Sequence, residues 1–469
     1  MAALFPTQHS DPALYPFRHG LVFGFFNALT WQIGIGTPMV LFAEQLGASP
    51  VQVGLAYSFV FVLTPIQVVS TALLPKYGFK RVMLGGWSAR SCFLAVPVVL
   101  AILAPIWGVQ GWMVHALVWS VFFFCLFRSI GAAAINPWLY SILPSSVRGR
   151  YFGTDQFLSG IGGTLTLVCC AALFALLPVY TALLVQYVIA LTGSTLSYHS
   201  LKRLPDAPHP AAISLRTVAS DTPRHMFARS EFRTYLWLAV LFSVLSTPIP
   251  PFAAYYLKVV PRLSLGTIML FEVSRYFGVI VAAWAVKRRI DATGAKPFLL
   301  LALAIYALVA VFWWFYLRLE SGAVLGIFLI YFLVGLGTAC WSIGNLNYLP
   351  KIVPDSERTL MVSIHGAVTA CLGGFAPVLC GLFLRGHDEQ GPSMNVFAFQ
   401  LFFLFVLGCV CVLSWRVARL AEDKTMAAEP LIIGNAVLRP LRAATYLINL
   451  IDLRNVQARD AGSPPDTTK

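Results

Sequence analysis

Residues 201–233 read LKRLPDAPHPAAISLRTVASDTPRHMFARSEFR, with four prolines and six Lys or Arg. On either side the chain is almost uninterrupted apolar sequence, cut at regular intervals by short polar turns. A stretch so charged and so broken by proline cannot lie in a bilayer, where its charges and backbone groups would go unsatisfied. It therefore reads as an aqueous linker between two membrane-embedded halves, residues 1–200 and 234–416, with 417–469 as a tail.

Composition points the same way. Of 469 residues, 58% are hydrophobic and 11% charged, and the mean hydropathy is +0.76; soluble domains carry about 25% charged residues. The expected class is an all-α polytopic membrane protein. The apolar runs are continuous, unlike the alternating strands of a membrane β-barrel. The net charge of +14 would suit nucleic acid, but its placement follows the membrane rule instead, and no nucleic-acid partner is expected. The nine cysteines all fall inside apolar runs. They read as small packing residues, and neither a metal nor another cofactor is expected. No Walker loop, nucleophile elbow, zinc spacing or dinucleotide fingerprint occurs, so the chain does not read as an enzyme. The first residues lack the basic region of a signal peptide, and the first apolar run reads as an uncleaved membrane helix.

Spans of about 20 residues divide the chain into twelve helices. Six precede the linker, at 18–43, 51–74, 82–104, 112–142, 152–177 and 179–199; six follow it, at 234–257, 263–286, 297–317, 323–348, 359–384 and 394–416. With the N-terminus inside, 26 of the 33 Lys and Arg fall on inner segments. The outer loops hold Lys258, Arg262, Arg318 and Arg385, and Arg90, Arg128 and Arg275 lie within spans. This asymmetry predicts a multi-pass protein of the plasma (inner) membrane with both termini and the linker cytoplasmic. Segment 430–454 is apolar but contains Asn435, Arg439, Pro440, Arg442 and Asn449; it reads as amphipathic, lying on the cytoplasmic face.

The halves repeat weakly. Ile142-Leu143-Pro144-Ser145-Ser146-Val147-Arg148 recurs as Ile352-Val353-Pro354-Asp355-Ser356-Glu357-Arg358. The break Gly34-Ile35-Gly36-Thr37-Pro38 in the first helix is matched by Pro248-Ile249-Pro250-Pro251 in the seventh. Interrupted helices at corresponding places in two halves point to a transporter's central site, although Gly and Pro are also commoner in membrane helices generally.

This plan resembles the major facilitator superfamily. Lys76-Tyr77-Gly78-Phe79-Lys80-Arg81 is similar to the second part of that family's loop after the second helix, with Pro75 where the family has an acid. The corresponding loop of the second half, Lys287 to Lys296, keeps the acid as Asp291, followed by Gly294. Arg128-Ser129-Ile130-Gly131-Ala132-Ala133-Ala134 resembles the family's fourth-helix motif without its glutamine, and Pro144 to Arg150 its Pro-x-x-x-Arg-Gly-Arg turn. Gly160-Ile161-Gly162-Gly163 does not match the antiporter signature of the fifth helix. The resemblance implies a solute carrier working by alternating access, with a gate near the inner ends of the helices. Lys76, Gly78, Arg81, Arg90, Arg148, Arg150, Asp155, Asp291, Gly294 and Arg358 are its gating candidates.

Charges inside a bilayer are costly and mark functional sites by default. Glu272 and Arg275 share a face near the middle of the eighth helix, either as a neutralising pair or as a coupling carboxylate beside a substrate-binding cation. Arg128 has nothing in its own helix to pair with. Asn27, Trp31, Gln32, Asn136, Trp341 and Asn345 complete the cavity candidates, and His365 reads as a packing residue. Two cavity arginines tilt the reading toward an anionic organic solute, because guanidinium binds carboxylate and phosphate bidentately. Glu272 is the candidate for proton coupling, and a monomer in the lipid bilayer is expected. Two alternatives stand beside this one. One is a sugar or neutral-solute carrier using the Asn, Gln and Trp set. The other is a non-transporting assembly or delivery protein of the same fold, which predicts a centre plugged by apolar side chains.

Overall fold

The computed structural model describes residues 5–420, apart from residues 7, 9, 10, 49, 211–214, 251–252, 254–255, 258–264, 288, 318–323 and 386–391. The tail with its 430–454 segment, the loop cations Lys258, Arg262 and Arg318, and Pro251 lie outside the described residues. Helices in the order expected from the apolar runs build the chain. In the first half α1 is Arg18–Gly34 continued by Thr37–Gln45, and α2 is Pro50–Val62 continued by Pro65–Ser70 and Leu74–Tyr77. Next come α3 (Phe79–Phe93 and Ala95–Trp107), α4 (Gly111–Ile142), α5 (Ser145–Leu176) and α6 (Val179–Lys202). In the second half α7 is Glu231–Ser246 and α8 Leu265–Val286. They are followed by α9 (Lys296–Tyr316), α10 (Val324–Tyr348), α11 (Arg358–Arg385) and α12 (Pro392–Ala418). Among the described residues nine helices are long and apolar enough to cross a membrane. Of the others, α1 breaks after 17 residues and α7 is described as helix for 16.

Local chemistry explains the breaks. Gly36 is extended, Pro38 starts the next helical segment, and a Cβ on Gly36 would overlap the carbonyl of Gln32; proline suits a helix start because its missing N–H is an orphan there anyway. Pro144 and Pro178 stop α4 and α5 from continuing into the next helix, since the residue before a proline is pushed out of the α region.

With no hydrophobic drive between helices in lipid, close packing relies on small residues. Gly162 and Gly193 let α5 and α6 approach the backbone of α1 at Phe25 and Phe26. Gly278 and Gly335 do the same for α8 and α10, against the carbonyls of Phe332 and Arg275. The halves also touch one another along two seams related by the repeat. In one, Gly160 and Gly163 of α5 face Ile280 and Tyr276 of α8, and Gly153 faces Lys287 just past its end. In the other, Gly374 and Gly366 of α11 face Phe61 and Gln67 of α2, and Thr64 Oγ1 donates to the Ala367 carbonyl at 3.2 Å.

The repeat is sharper in space than in sequence. Gly78 and Gly294 both take positive φ, 77° and 85°, where the loop turns into α3 and α9. Two residues on, Lys80 Nζ donates to the Leu204 carbonyl at 2.7 Å and Lys296 Nζ to the Leu420 carbonyl at 2.8 Å, each across 124 residues of chain. Where the first loop has Pro75 in place of the acid, His209 of the linker covers the gap, with Nδ1 at 3.1 Å from the Pro75 carbonyl.

The linker is not wholly irregular. It contains a helix, Leu215–Phe227, that packs on the linker ends of α2, α7 and α11 and so touches both halves. Val218 buries its side chain there, His225 Nε2 lies 3.8 Å from Glu357, and Trp237 Nε1 donates to the Met226 carbonyl at 3.0 Å. Its apolar spacing is hidden in the sequence by three neighbouring prolines and many charges.

Candidate functional site

Two successive turns of α1 organise the centre. Asn27 accepts a hydrogen bond from Arg90 Nη2 of α3 at 2.6 Å. One turn on, Trp31 lies under the Arg128 guanidinium of α4, 4.5 Å from the ring centroid. The next residue, Gln32, reaches across to the second half and donates to the hydroxyl of Tyr276 on α8. Counting 1.5 Å per residue from the linker ends of their helices puts Asn27, Trp31, Arg90 and Arg128 all about 14–21 Å deep, at mid-membrane.

Arg90 is 1% exposed, stacked between Trp87 at 4.0 Å and Phe124 at 5.0 Å, and its Nε has no partner among the described residues. It lies within electrostatic range of Arg128. Neither guanidinium meets a carboxylate among the described residues. Arg275 is the opposite case. Its Nε donates to Glu272 Oε2 at 2.6 Å, and its guanidinium lies over the Tyr276 ring. The pair keeps 21% and 29% of its side-chain surface exposed, and Tyr57 and Tyr331 lie within electrostatic range of it. The sequence pairing of Glu272 with Arg275 is therefore present, while Arg128 faces a tryptophan and no acid.

The remaining cavity candidates divide. Asn136 is half-buried with no hydrogen bond among the described residues. Trp341 is 7% exposed and stacked on Phe242 at 3.8 Å, and Asn345 accepts from Tyr235 Oη at 2.7 Å. Both are engaged inside the second half instead of facing the first. His365 is buried and stacked on Tyr235.

At the linker end the halves are clamped. The Asp291 carboxylate, between α8 and α9, accepts the backbone N–H of Gly149 at 2.7 Å and of Arg150 at 2.9 Å, at the start of α5. Burial pushes the Asp291 carboxyl above its ordinary value, and the two N–H donors with Arg150 and Lys351 pull it back. Gly149 is required for this contact, because a Cβ there would run into Ile290, Asp291 and Asn347 together. The other gating candidates act locally. Arg148 Nη2 donates to the Tyr140 and Leu143 carbonyls at 3.1 and 3.2 Å, closing the end of α4. Arg358 pairs with Asp355 in its own loop, Arg150 lies 3.5 Å from Asp11, and Lys76 and Arg81 are exposed. Asp155 sits against Gly24 of α1 and forms no ion pair with any of them. Charges near the linker end are solvated, satisfied by carbonyls or paired locally, and Asp291 and the glycines of α5 link the halves on the α5–α8 side. Gly149 sat within the quoted turn motif, but Gly153 had no sequence signal beyond being a glycine in a span.

No protein-family model and no curated protein matches the sequence. Solved structures do. A bacterial homologue of the iron transporter ferroportin, in an outward-facing state, is 14% identical with a TM-score of 0.65, covering 86% of this chain and 99% of that one. The E. coli fucose:proton symporter is 14% identical with a TM-score of 0.63, covering 87% and 99%. The human organic anion transporter is 14% identical with a TM-score of 0.62, covering 85% and 98%. Among the described residues, twelve helices in two repeated halves, seamed along α2–α11 and α5–α8, thus share the fold of a solved major facilitator superfamily transporter.

Proposed function

We propose that this protein is a secondary transporter of the plasma (inner) membrane that moves a small organic anion by alternating access, as a monomer with the linker and both termini in the cytoplasm. The observation that carries the reading is Arg128, a mid-membrane cation stacked on Trp31 with no counter-carboxylate among the described residues, beside a seam at which the halves meet. An uncompensated guanidinium at that depth is expensive unless a ligand anion offsets it. The solved structures of the same fold include transporters of iron, organic anions, fucose and nucleosides, which supports transport of small solutes. A neutral-solute carrier is less well supported, because Gln32 and Asn345 are each engaged by protein groups and the Asn27 amide oxygen is taken by Arg90. A centre built from arginines, Glu272, Gln32 and Tyr276 also differs from the apolar plug a non-transporting relative would show.

Asp291 with Gly149, Gly153 and the linker helix forms the cytoplasmic gate, closed in this conformation. Proton coupling runs through Glu272, whose hold on Arg275 loosens when it is protonated. Uptake into proteoliposomes from a pooled set of organic anions, with and without an inward proton gradient, tests the reading. Glu272→Gln is expected to abolish gradient-driven accumulation while substrate exchange survives. Loss of both together would mark the pair as structural, because a partly buried Arg275 would be left unpaired inside the span.

A further inference from the structure

The amide of Asn27 has its orientation forced. Arg90 can only donate, so the atom facing its Nη2 at 2.6 Å is Asn27 Oδ1. Asn27 Nδ2 is then turned away, and its two N–H groups have no partner among the described residues. One helical turn along α1, Arg128 lies on Trp31 with no hydrogen bond or ion pair among the described residues. The step from Asn27 to Trp31 is about 6 Å along the axis, the reach of one small ligand. Behind Asn27, the wholly buried Arg90 adds a second positive charge and an unpartnered Nε. Two acids inside the spans, Asp155 and Glu272, form no ion pair with either guanidinium among the described residues. Asp155 is lodged against Gly24, and Glu272 is held by Arg275.

We infer that Asn27, Trp31, Arg90 and Arg128 form a subsite for a compact dianion, such as a phosphate group or two closely spaced carboxylates. Arg128 meets the ligand as a planar fork supported by the Trp31 ring, and Asn27 donates from Nδ2. Arg90 is a positioning residue. It fixes the amide and contributes charge from behind, so that a doubly charged group is favoured over a singly charged one. This deepens the transporter reading but is testable without it, since binding can be read in the absence of transport.

The test uses the full chain in lipid nanodiscs, with inorganic phosphate and succinate as dianion probes, acetate as the monoanion and glucose as the neutral control. Binding is measured by calorimetry and by the shift of the thermal unfolding midpoint. Dianions are expected to bind on the order of tenfold or more tighter than acetate, as one additional charge-assisted hydrogen bond implies. Whichever of phosphate and succinate binds tighter identifies the source of the two charges. Arg128→Gln removes most of the binding. Arg90→Gln narrows the gap between dianion and monoanion, and Arg90→Lys restores part of it; a merely structural Arg90 would lower all ligands alike. If the Arg90 variants do not fold, Asn27→Ala serves, with the same narrowing expected. Equal affinity for acetate and both dianions, or dianion binding untouched by Arg128→Gln, overturns the inference. Uptake of a neutral solute with no dianion binding would overturn it and leave transport standing. Dianion binding without any uptake would do the reverse.

Discussion

Gly153→Val leaves the linker end unable to close. A Cβ on Gly153 would overlap Cβ of Lys287 and lie 2.7 Å from its Cα, so the clash is with backbone and no rotamer relieves it. Overpacking of this kind costs about 1–3 kcal/mol, which shifts a two-state balance by a factor of roughly 5–150. The measurement is thiol labelling of Asn347→Cys in a cysteine-free background. Asn347 is buried, 4% exposed, against Gly149 at the clamp. Labelling from the cytoplasmic side is expected to rise by that factor in the valine variant, with transport largely lost. Asp291→Ala, which deletes the two cross-half hydrogen bonds, moves labelling the same way by less. Unchanged labelling in Gly153→Val would mean that the α5–α8 seam does not govern opening.

Arg128→Gln should abolish transport while the clamp stays intact. The loss of a charge-assisted hydrogen bond to an anion is worth about 1.5–3 kcal/mol, a fall of roughly tenfold to more than a hundredfold in apparent affinity. Lysine rescues only partly, because an ammonium neither forks onto a carboxylate nor stacks flat on Trp31. Asn347→Cys labelling should be unaffected by either change, which separates a lost ligand contact from a disturbed gate. Wild-type uptake in Arg128→Gln would show that the cation serves packing with Trp31 alone.

The linker, the spans and the paired halves were legible because membrane insertion acts on local composition, and local composition is what a sequence displays. Glu272 with Arg275 was legible for a related reason: three residues on one helix must share a face. Asn27 with Arg90 was not, since a contact between helices 63 residues apart leaves no local trace. Trp341 and Asn345 were read as cavity residues from helix membership, yet helix rotation turned them toward Phe242 and Tyr235. The acid at Asp291 and its absence at Pro75 were visible in the loops. Which backbone groups Asp291 would meet, and that His209 would cover the other loop, depended on the pairing of two halves and a linker. The linker helix 215–227 was missed because its stability comes from the helix ends beneath it, consistent with short helices owing most of their stability to packing.

Alternating access is tested most directly by the distance between spin labels on Ser146 and Ser356, equivalent exposed positions in the two halves at the linker end. Measured by pulsed electron resonance in nanodiscs, the wild type should show a short, clamped distance together with a longer one, with populations that shift when a bound anion is added. Gly153→Val should show mainly the longer distance. A single unchanging distance in wild type, with ligand and in Gly153→Val would contradict a gate at this end and with it the transporter reading.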